Sequence, residues 1–332
     1  MGHNVSFVDY WPGYHKRMYS KFNWLTVCNI FHPLNSFRYV NNRISTWKYV
    51  TLRIKNIKNF LDTYIIPYCS STTDKYDIII CGSDQIWRKQ PEHFGYNPMY
   101  YGRNGLDATK QISYAASIGK LPESNADKKR VLELVKYLDG VSVRENDLQQ
   151  FLNNLGMKDV EVTLDPTLLL SAEKWNKIIP QERLISKKYA LYYEVLPNCF
   201  DEEEMRVFCD KHKLTLVILR TKHLKTETET EICSIAPDKF VNLIRYADFV
   251  FSSSFHGLAL SIINHKNFLC SVSSGKSRLI SLMENLGISE HFIEPMTNIP
   301  SDVASINYEL ADIRLDEMRK KSFHFLDQYI YG

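Results

Sequence analysis

The chain has 332 residues, a formal net charge of +3 and 44% hydrophobic residues. This length and composition predict about two folded domains and exclude a disordered protein. The longest apolar runs are far shorter than the roughly 20 residues that a membrane-spanning helix needs. The seven cysteines are scattered and never spaced as CxxC, and the sequence opens without a signal-peptide pattern, so we expect a cytoplasmic protein without a disulfide scaffold.

The first distinctive feature along the chain is a basic segment, residues 16–61. Nine lysines and arginines and no acidic residue lie between Asp9 and Asp62. Aromatic and apolar residues at 22–27, 30 and 31 come first, and residues 38–61 then have apolar side chains at helical spacing. A basic amphipathic helix suits peripheral contact with the inner face of an anionic membrane. The alternative is a stripe that packs within the protein while its cations face solvent. Nucleic acid is not an expected partner, because the overall charge is small and no binding motif occurs.

Residues 1–165 are predicted to form an N-terminal Rossmann-like domain. The pattern at Gly2–Val5 is typical of the joint between a first helix and a second strand, so the first βα unit is expected to be missing. Short apolar runs then alternate with helical patterns, which is typical of a mostly parallel sheet. The predicted strands are Tyr76–Cys81, Gln111–Ala116 and Val141–Arg144, and the predicted helices are Asp127–Leu138 and Asn146–Leu155.

Residues 166–310 repeat this alternation and are predicted to form a second Rossmann-like domain. The predicted strands are Tyr189–Val195, Leu214–Leu219, Asp248–Phe251 and Asn267–Val272. The predicted helices are Ala172–Ile179, Glu202–His212, Pro237–Tyr246, Phe255–Asn264 and Ser277–Leu286. Residues 311–332 form one amphipathic helix that is expected to pack back on the first domain. The predicted fold class is therefore α/β, with two doubly wound domains and a ligand cleft at the carboxyl ends of their strands.

Three clusters of polar residues follow predicted strands at this edge. Gly82 permits a sharp turn after the first strand and is followed by Ser83, Asp84, Gln85 and Trp87; the structural alternative is a turn capped by Asp84. Ser252–Gly257 opens a helix, where free backbone N–H groups attract anions and His256 is placed to act as an acid or a base; otherwise the serines only cap the helix. Ser274–Arg278 adds two cations but lacks the spacing of a phosphate-binding Walker loop.

Two further strand ends are candidates. Arg144 ends one predicted strand, either as a ligand cation or as an ion-pair partner of Glu145 or Asp147. Ser117 follows the strand Gln111–Ala116 in a turn of small residues. No HExxH, GxSxG or carboxylate cluster with metal spacing occurs in the sequence, so we predict neither a metal site nor a serine-hydrolase site.

Five motifs occur in order and together resemble the polysaccharide pyruvyl transferase family. They are Gly82–Trp87, Ser113–Gly119, Val141–Glu145, Leu164–Thr167 and Ser253–Gly257. The resemblance implies a glycosyltransferase-B-like fold. It also implies transfer of a pyruvyl group from phosphoenolpyruvate to sugar hydroxyls, with formation of a cyclic ketal and release of phosphate. The acceptor implied is a cell-surface glycan, such as an exopolysaccharide or capsule, or its lipid-linked precursor.

The resemblance also assigns the site residues. The family's essential histidine matches His256, its arginine matches Arg144, and an acidic residue after the glycine turn matches Asp84; these three are the predicted catalytic residues. No cofactor or metal is implied beyond phosphoenolpyruvate as the donor substrate. The residues predicted to bind substrate lie around them: Gly82, Ser83, Gln85, Trp87, Ser117, Ser253, Ser254, Phe255, Gly257, Lys276, Ser277 and Arg278.

The sequence departs from the family at one site position, because Ser254 stands where characterised members often carry arginine. This leaves two alternatives open. One is a glycosyltransferase-like protein that uses a nucleotide sugar, and the other is a non-catalytic binding protein of glycan biosynthesis. Homo-oligomer formation is also left open by the sequence.

Overall fold

A computed structural model of the protein describes residues 3–18, 33–90, 95–102 and 105–332. The segment that precedes the predicted basic helix, including Lys21 and the apolar residues 22–27, 30 and 31, lies outside these ranges. Two short strands, β1 (Phe7–Val8) and β2 (Cys69–Ser70), pair in parallel. Between them in the chain lie helices α1 (Gly13–Met18), α2 (Pro33–Ser45) and α3 (Trp47–Tyr64).

The first large sheet has four parallel strands in chain order. They are β3 (Lys75–Cys81), β4 (Asp107–Ala116), β5 (Gly140–Val143) and β6 (Val160–Val162). Helices α4 (Asn125–Val135) and α5 (Asn146–Asn154) follow β4 and β5. Their apolar faces pack on the sheet, where Leu134, Leu148 and Leu152 are completely buried. Burial of each such side chain contributes about 1.5–3 kcal/mol of hydrophobic free energy and stabilises this half of the molecule.

The second sheet has five parallel strands in the order β11-β10-β7-β8-β9. The order reverses between β7 and β10, which makes this sheet doubly wound. Its strands are β7 (Tyr189–Glu194), β8 (Thr215–Arg220), β9 (Glu231–Ile232), β10 (Phe249–Ser252) and β11 (Phe268–Cys270). The helices of this half are α6 (Pro166–Leu169), α7 (Ala172–Ile178), α8 (Glu202–Lys211), α9 (Pro237–Tyr246), α10 (Phe255–Ile263) and α11 (Ser277–Leu286).

The last helix, α12 (Tyr308–Ile330), returns to the first sheet. Phe325 is fully buried in a cluster with Ile112 and Tyr114 of β4. The backbone N–H of Leu164 donates a hydrogen bond to Ser322 Oγ over 2.9 Å. The predicted fold class, two parallel α/β units with a returning C-terminal helix, is therefore confirmed, whereas the domain boundaries at 165/166 and 310/311 stay a prediction.

Two local differences from the sequence prediction have clear physical causes. The expected single helix over 38–61 is divided at Thr46, whose Oγ1 donates to the carbonyl of Asn42 over 2.9 Å; this type of back-bonding bends helices. Strands β1, β2 and β9 have two residues each and are too short to show periodicity.

In the part of the chain that the structure describes, no helix is long and apolar enough to span a bilayer.

Candidate active site

The candidate site lies where the carboxyl ends of β3, β5, β6 and β10 meet. Four chain segments contribute to it: the turn after Cys81, the end of β5, the segment after β6 and the start of α10. Parallel strands end at the same edge of a sheet, and this brings residues distant in sequence together. The central residue is Asp165, which follows β6 and is only 1% exposed.

The turn after β3 requires glycine because it touches the neighbouring strand. A Cβ atom on Gly82 would lie 1.9 Å from the carbonyl oxygen of Tyr114, a separation that no side chain tolerates. The Gly82–Ser83 peptide bond is cis, and Asp84 has a φ of 66°. The N–H of Ser117 donates to the carbonyl of Asp84 over 3.0 Å. The turn is thereby fixed to the end of β4, with Ser83 directed towards Asp165.

Asp165 joins three of the candidate groups. Arg144 Nη2 lies 2.7 Å from Asp165 Oδ2, and Ser83 Oγ donates to the same oxygen over 3.2 Å. His256 Nε2 lies 4.0 Å from it. Burial alone would raise the pKa of Asp165, but the charges of Arg144 and His256 outweigh it and hold the pKa below its usual range. Asp165 is therefore a buried carboxylate that orients the guanidinium and faces the imidazole.

Arg144 forms the floor of the site. Its side chain is 3% exposed, its Cζ lies 4.9 Å from the ring centre of Phe255, and its Nη1 lies 3.6 Å from Asp84 Oδ1. Nε and Nη1 are buried and have no hydrogen-bond partner among the described residues. Because buried donors normally have partners, this arginine keeps hydrogen-bonding capacity for an anion.

A second arginine reaches the site from the other half of the molecule. Arg278, in the first turn of α11, places Nη1 3.5 Å from Asp84 Oδ1 and Nε 3.7 Å from Glu145 Oε1. Glu145 also accepts a hydrogen bond from Ser117 Oγ. Burial raises the pKa of Glu145 to about 7, although the Ser117 hydrogen bond and both arginines oppose the shift. Two cations, Arg144 and Arg278, and three carboxylates, Asp84, Glu145 and Asp165, thus meet between the two sheets.

The raised pKa of Glu145 predicts a specific loss of stability with rising pH. The folded protein binds the carboxyl proton of Glu145 more tightly than the unfolded chain, in which the pKa of this group is 4.5. The stabilisation is therefore complete below about pH 4.5 and is lost as the pH rises through about 7. A shift of this size corresponds to about 3 kcal/mol. We expect Glu145→Gln to lack this decline in denaturant titrations at pH 5.5 and 8.5, whereas the exposed Glu133→Gln control retains it. An equal decline in both variants would contradict the assignment.

His256 lies at the open side of the site. It is the second residue of α10, and the N-cap residue Ser254 makes no side-chain capping hydrogen bond. The His256 side chain is 41% exposed and that of Asp84 is 59% exposed, whereas Arg144 and Asp165 are almost fully buried. The cavity behind Arg144 and Asp165 has a volume of about 20 Å³, room for about one water molecule. A substrate must therefore approach from the side of His256 and Asp84.

Most of the other predicted substrate-binding residues surround this cluster in supporting positions. Ser117 donates to Glu145, and the ring of Phe255 lies beneath Arg144. Gln85 packs against Gly119, and a Cβ atom on Gly257 would lie 2.2 Å from Ser252 Oγ. Ser254 and Ser277 begin helices α10 and α11.

Three predicted residues are placed elsewhere by the structure. Trp87 is completely buried, its indole N–H donates to the carbonyl of Tyr100, and its ring stacks on Tyr101. Its indole therefore serves the core of the first half and does not face the site. Ser253 Oγ accepts from the N–H groups of Val195 and Leu196, so it holds a loop. Lys276 pairs with Glu294, and its Nζ lies 5.9 Å from the ring centre of Phe292.

Two residues of the cluster were not assigned a role from the sequence, namely Asp165 and Glu145. Both lie inside recognised motifs: Glu145 directly follows Arg144 at the end of β5, and Asp165 lies three residues after the end of β6. The available signal was the position of Asp165 just before a proline that opens a helix. That signal is equally typical of a capping aspartate, and Asp165 Oδ1 does accept from Thr167 N over 2.8 Å.

The described residues contain no group of three His, Cys, Asp or Glu side chains able to hold a metal ion.

Comparison with known proteins adds one decisive finding. The model of the polysaccharide pyruvyl transferase family matches residues 2–274. No curated protein sequence matches the chain significantly. Similar solved structures include an uncharacterised protein from Klebsiella pneumoniae (13% identity, 74% of this chain and 89% of that chain, TM-score 0.39). They also include the UDP-GlcNAc 2-epimerase of Methanocaldococcus jannaschii (11% identity, 87% and 82%, TM-score 0.41) and the wall teichoic acid polymerase TagF (10% identity, 93% and 93%, TM-score 0.35). Likenesses this distant carry no argument about the reaction.

Proposed function

The chain belongs to the polysaccharide pyruvyl transferase family, and from this premise we propose that it transfers the pyruvyl group of phosphoenolpyruvate to two hydroxyls of one sugar. The acceptor is a cell-surface glycan or its lipid-linked precursor. The observation that supports this best is the convergence of Arg144 and His256 on the buried carboxylate of Asp165. It joins a cation that can bind an anionic donor to an accessible imidazole that can move a proton.

The donor would be held by charge. Phosphoenolpyruvate carries a carboxylate and a phosphate, and charge-assisted hydrogen bonds from guanidinium groups bind both. Arg144 and Arg278 both lie within 3.6 Å of Asp84 Oδ1, so one anion can contact both cations. Arg278 thereby supplies a second positive charge to a site in which Ser254 replaces the family's frequent arginine. The backbone N–H groups at the start of α10 favour an anion at the same place.

The reaction needs two proton transfers and the loss of one phosphate. The methylene carbon of phosphoenolpyruvate gains a proton and becomes a methyl group, and the first sugar hydroxyl attacks C2. Phosphate then leaves with its bonding electrons, and the second hydroxyl attacks the same carbon to close the ketal. One hydroxyl proton balances the new methyl group, and the other leaves with phosphate. His256 moves one of these protons and Asp84 the other, while Asp165 holds Arg144 in place and faces the imidazole.

Ligand-induced stabilisation tests this proposal against its alternatives. A ligand that binds the native state raises its melting temperature, by about 2.7 kcal/mol of stability at 100 times Kd. We expect phosphoenolpyruvate to raise Tm whether or not UDP-glucose is present. A rise in Tm with nucleotide sugars and no rise with phosphoenolpyruvate would favour a glycosyltransferase. If neither class of ligand changes Tm, a non-catalytic binding protein becomes the better description.

We also propose that helices α2 and α3 contact the cytoplasmic face of an anionic membrane. Phe37 and Ile44 on α2 are 71% and 63% exposed, far more than apolar side chains that pack inside a protein. Lys48 and Lys55 are exposed on α3. Apolar side chains beside cations suit an interfacial position, and a lipid-linked acceptor would be presented there.

A vesicle flotation assay tests the membrane contact. Each lysine near an anionic surface contributes about 1 kcal/mol, so removing two should weaken binding by roughly 30-fold. We expect Lys48→Ala with Lys55→Ala to lose co-flotation with phosphatidylserine vesicles at low salt. The control, Lys129→Ala on α4 with Lys136→Ala directly after it, removes the same charge from the first half and should still float. Absence of wild-type flotation at low salt would eliminate the membrane contact.

A further inference from the structure

A cavity of about 180 Å³ lies at the carboxyl edge of the second sheet, apart from the cluster around Asp165. Its walls come from the ends of β7 and β8, from the start of α9 and from one face of α3. The residues that matter for its chemistry are Arg53, Ile57, Tyr193, Arg220, Thr221 and Phe240. The cavity therefore joins the basic segment to the half of the molecule that carries His256.

The two arginines of this cavity have different electrostatic environments. Arg220 is neutralised, because its guanidinium nitrogens lie 2.7, 2.6 and 3.6 Å from carboxylate oxygens of Glu194, Glu202 and Glu231. Arg53 makes no ion pair with any described residue; its Nη1 donates to the carbonyl oxygen of Thr221 over 2.6 Å. Among the described residues that line the cavity, Arg53 is thus a cation without a carboxylate partner, and its hydrogen bond to Thr221 holds it in a fixed position that favours an anionic group.

The rest of the lining is largely aromatic and aliphatic. The rings of Tyr193 and Phe240 lie 4.3 Å apart between centroids, and Ile57 and Ile235 extend the apolar surface. Such a surface beside one positioned cation is typical of a pocket for an amphipathic small molecule. The apolar C–H face of a sugar ring packs well on aromatic rings. The volume equals the space of about six water molecules, which suits one hexose.

Tyr193 connects this cavity with the candidate active site. Its backbone carbonyl accepts from the N–H of Ser253 over 3.1 Å. A Cβ atom on Gly257 would lie 3.1 Å from Tyr193 Cδ1, so the tyrosine ring borders the residue that follows His256. A ligand resting on Tyr193 would therefore contact a side chain that also borders the start of α10.

We infer that this cavity binds the glycosyl phosphate portion of the acceptor. The sugar ring packs against Tyr193 and Phe240, and Arg53 binds the phosphate on its anomeric carbon. The assignment of this ligand as the acceptor rests on the proposed pyruvyl transfer; the binding of a glycosyl phosphate rests on the cavity alone. Nucleotide sugars and lipid diphosphate sugars share this chemistry, and the test distinguishes them.

The experiment measures binding of N-acetylglucosamine 1-phosphate by ligand-observed NMR, with N-acetylglucosamine and inorganic phosphate as fragments. We expect the wild type to bind the intact compound at least tenfold more tightly than either fragment. Arg53→Ala should weaken it at least tenfold, Arg53→Lys should restore part of the affinity, and Phe240→Leu should weaken binding of the sugar. Lys129→Ala, which removes one exposed charge from α4 in the first half, should bind like the wild type. If a prenyl diphosphate sugar analogue binds more tightly than UDP-N-acetylglucosamine, the acceptor is lipid-linked. The reverse order indicates a nucleotide sugar as the acceptor.

The outcomes separate this inference from the proposed donor. If the wild type does not bind the glycosyl phosphate, or if Arg53→Ala and Phe240→Leu bind it unchanged, the cavity assignment is wrong even where phosphoenolpyruvate raises Tm. If phosphoenolpyruvate has no effect while glycosyl phosphate binding depends on Arg53, the cavity assignment stands and the donor is wrong. The phosphoenolpyruvate-induced rise in Tm should be the same in Arg53→Ala as in the wild type.

Discussion

Replacing His256 with alanine should lower kcat for phosphate release from phosphoenolpyruvate by about 10²–10⁴-fold, the usual contribution of a positioned acid or base. The KM for phosphoenolpyruvate should change little, because the donor's charges are assigned to Arg144 and Arg278. Stability should also change little, since the imidazole is 41% exposed and its nearest carboxylate oxygen, on Asp165, is 4.0 Å away. Steady-state phosphate release and thermal denaturation measure both quantities.

A second histidine provides the matched control for this experiment. His265 follows the other end of α10, where it pairs with Asp312 and stacks on Tyr308. His265→Ala removes the same side chain close to the same helix, and its kcat should stay within about twofold of the wild type. Full activity of His256→Ala would refute the proposed proton transfer, and equal losses in both variants would indicate damage to α10 instead.

Replacing Asp165 with asparagine should reduce both stability and activity. The Asp165 side chain is 1% exposed and lies 2.7 Å from Arg144, whose side chain is 3% exposed. Removing one partner of a buried ion pair costs about 3–5 kcal/mol, because the other charge stays buried. We therefore expect Tm to fall by roughly 10 °C, which calorimetry measures directly.

The position of Asp84 allows a control for the stability effect. Its carboxylate lies 3.6 Å from the same arginine but its side chain is 59% exposed, and exposed ion pairs contribute about 0–1 kcal/mol. Asp84→Asn should therefore lower Tm by no more than a few degrees. Similar losses for both variants would mean that Asp165 does not anchor Arg144. In Asp165→Asn, the surviving folded enzyme should also show weaker binding of phosphoenolpyruvate, because the guanidinium loses its fixed orientation.

The sequence predicted the large elements well because their signals are local. Apolar strands such as Tyr76–Cys81 and helices such as Ser277–Leu286 are defined by periodicity and by turn residues within their own span. The meeting of Asp84 and Arg144 was also predictable, because both follow parallel strands of the first sheet, whose carboxyl ends lie at one edge. His256 follows β10 of the second sheet, so the sequence indicates that it lies at a strand end but not that it faces the first sheet. The division of the basic helix at Thr46 depends on one side-chain hydrogen bond, which periodicity does not reveal.

The pairings inside the site could not be predicted in the same way. Asp165 contacts Arg144 and Ser83, which lie 21 and 82 residues away in sequence, and Arg278 reaches Glu145 from the other half of the molecule. Such contacts depend on how two separate sheets face each other. Trp87 was assigned to the site because it follows a strand, and burial of its indole against Tyr101 is a property of packing that its motif does not encode.

The position of Glu145 beside Arg278 has a consequence for the energetics of ligand capture. Arg278 partly neutralises this carboxylate across a gap of 3.7 Å, too long for a hydrogen bond. An anionic donor that draws Arg278 towards itself would leave Glu145 with less compensating charge and an added negative neighbour. The carboxylate would then take up a proton from the medium near neutral pH. Donor capture and protonation of the enzyme would thus be one coupled event.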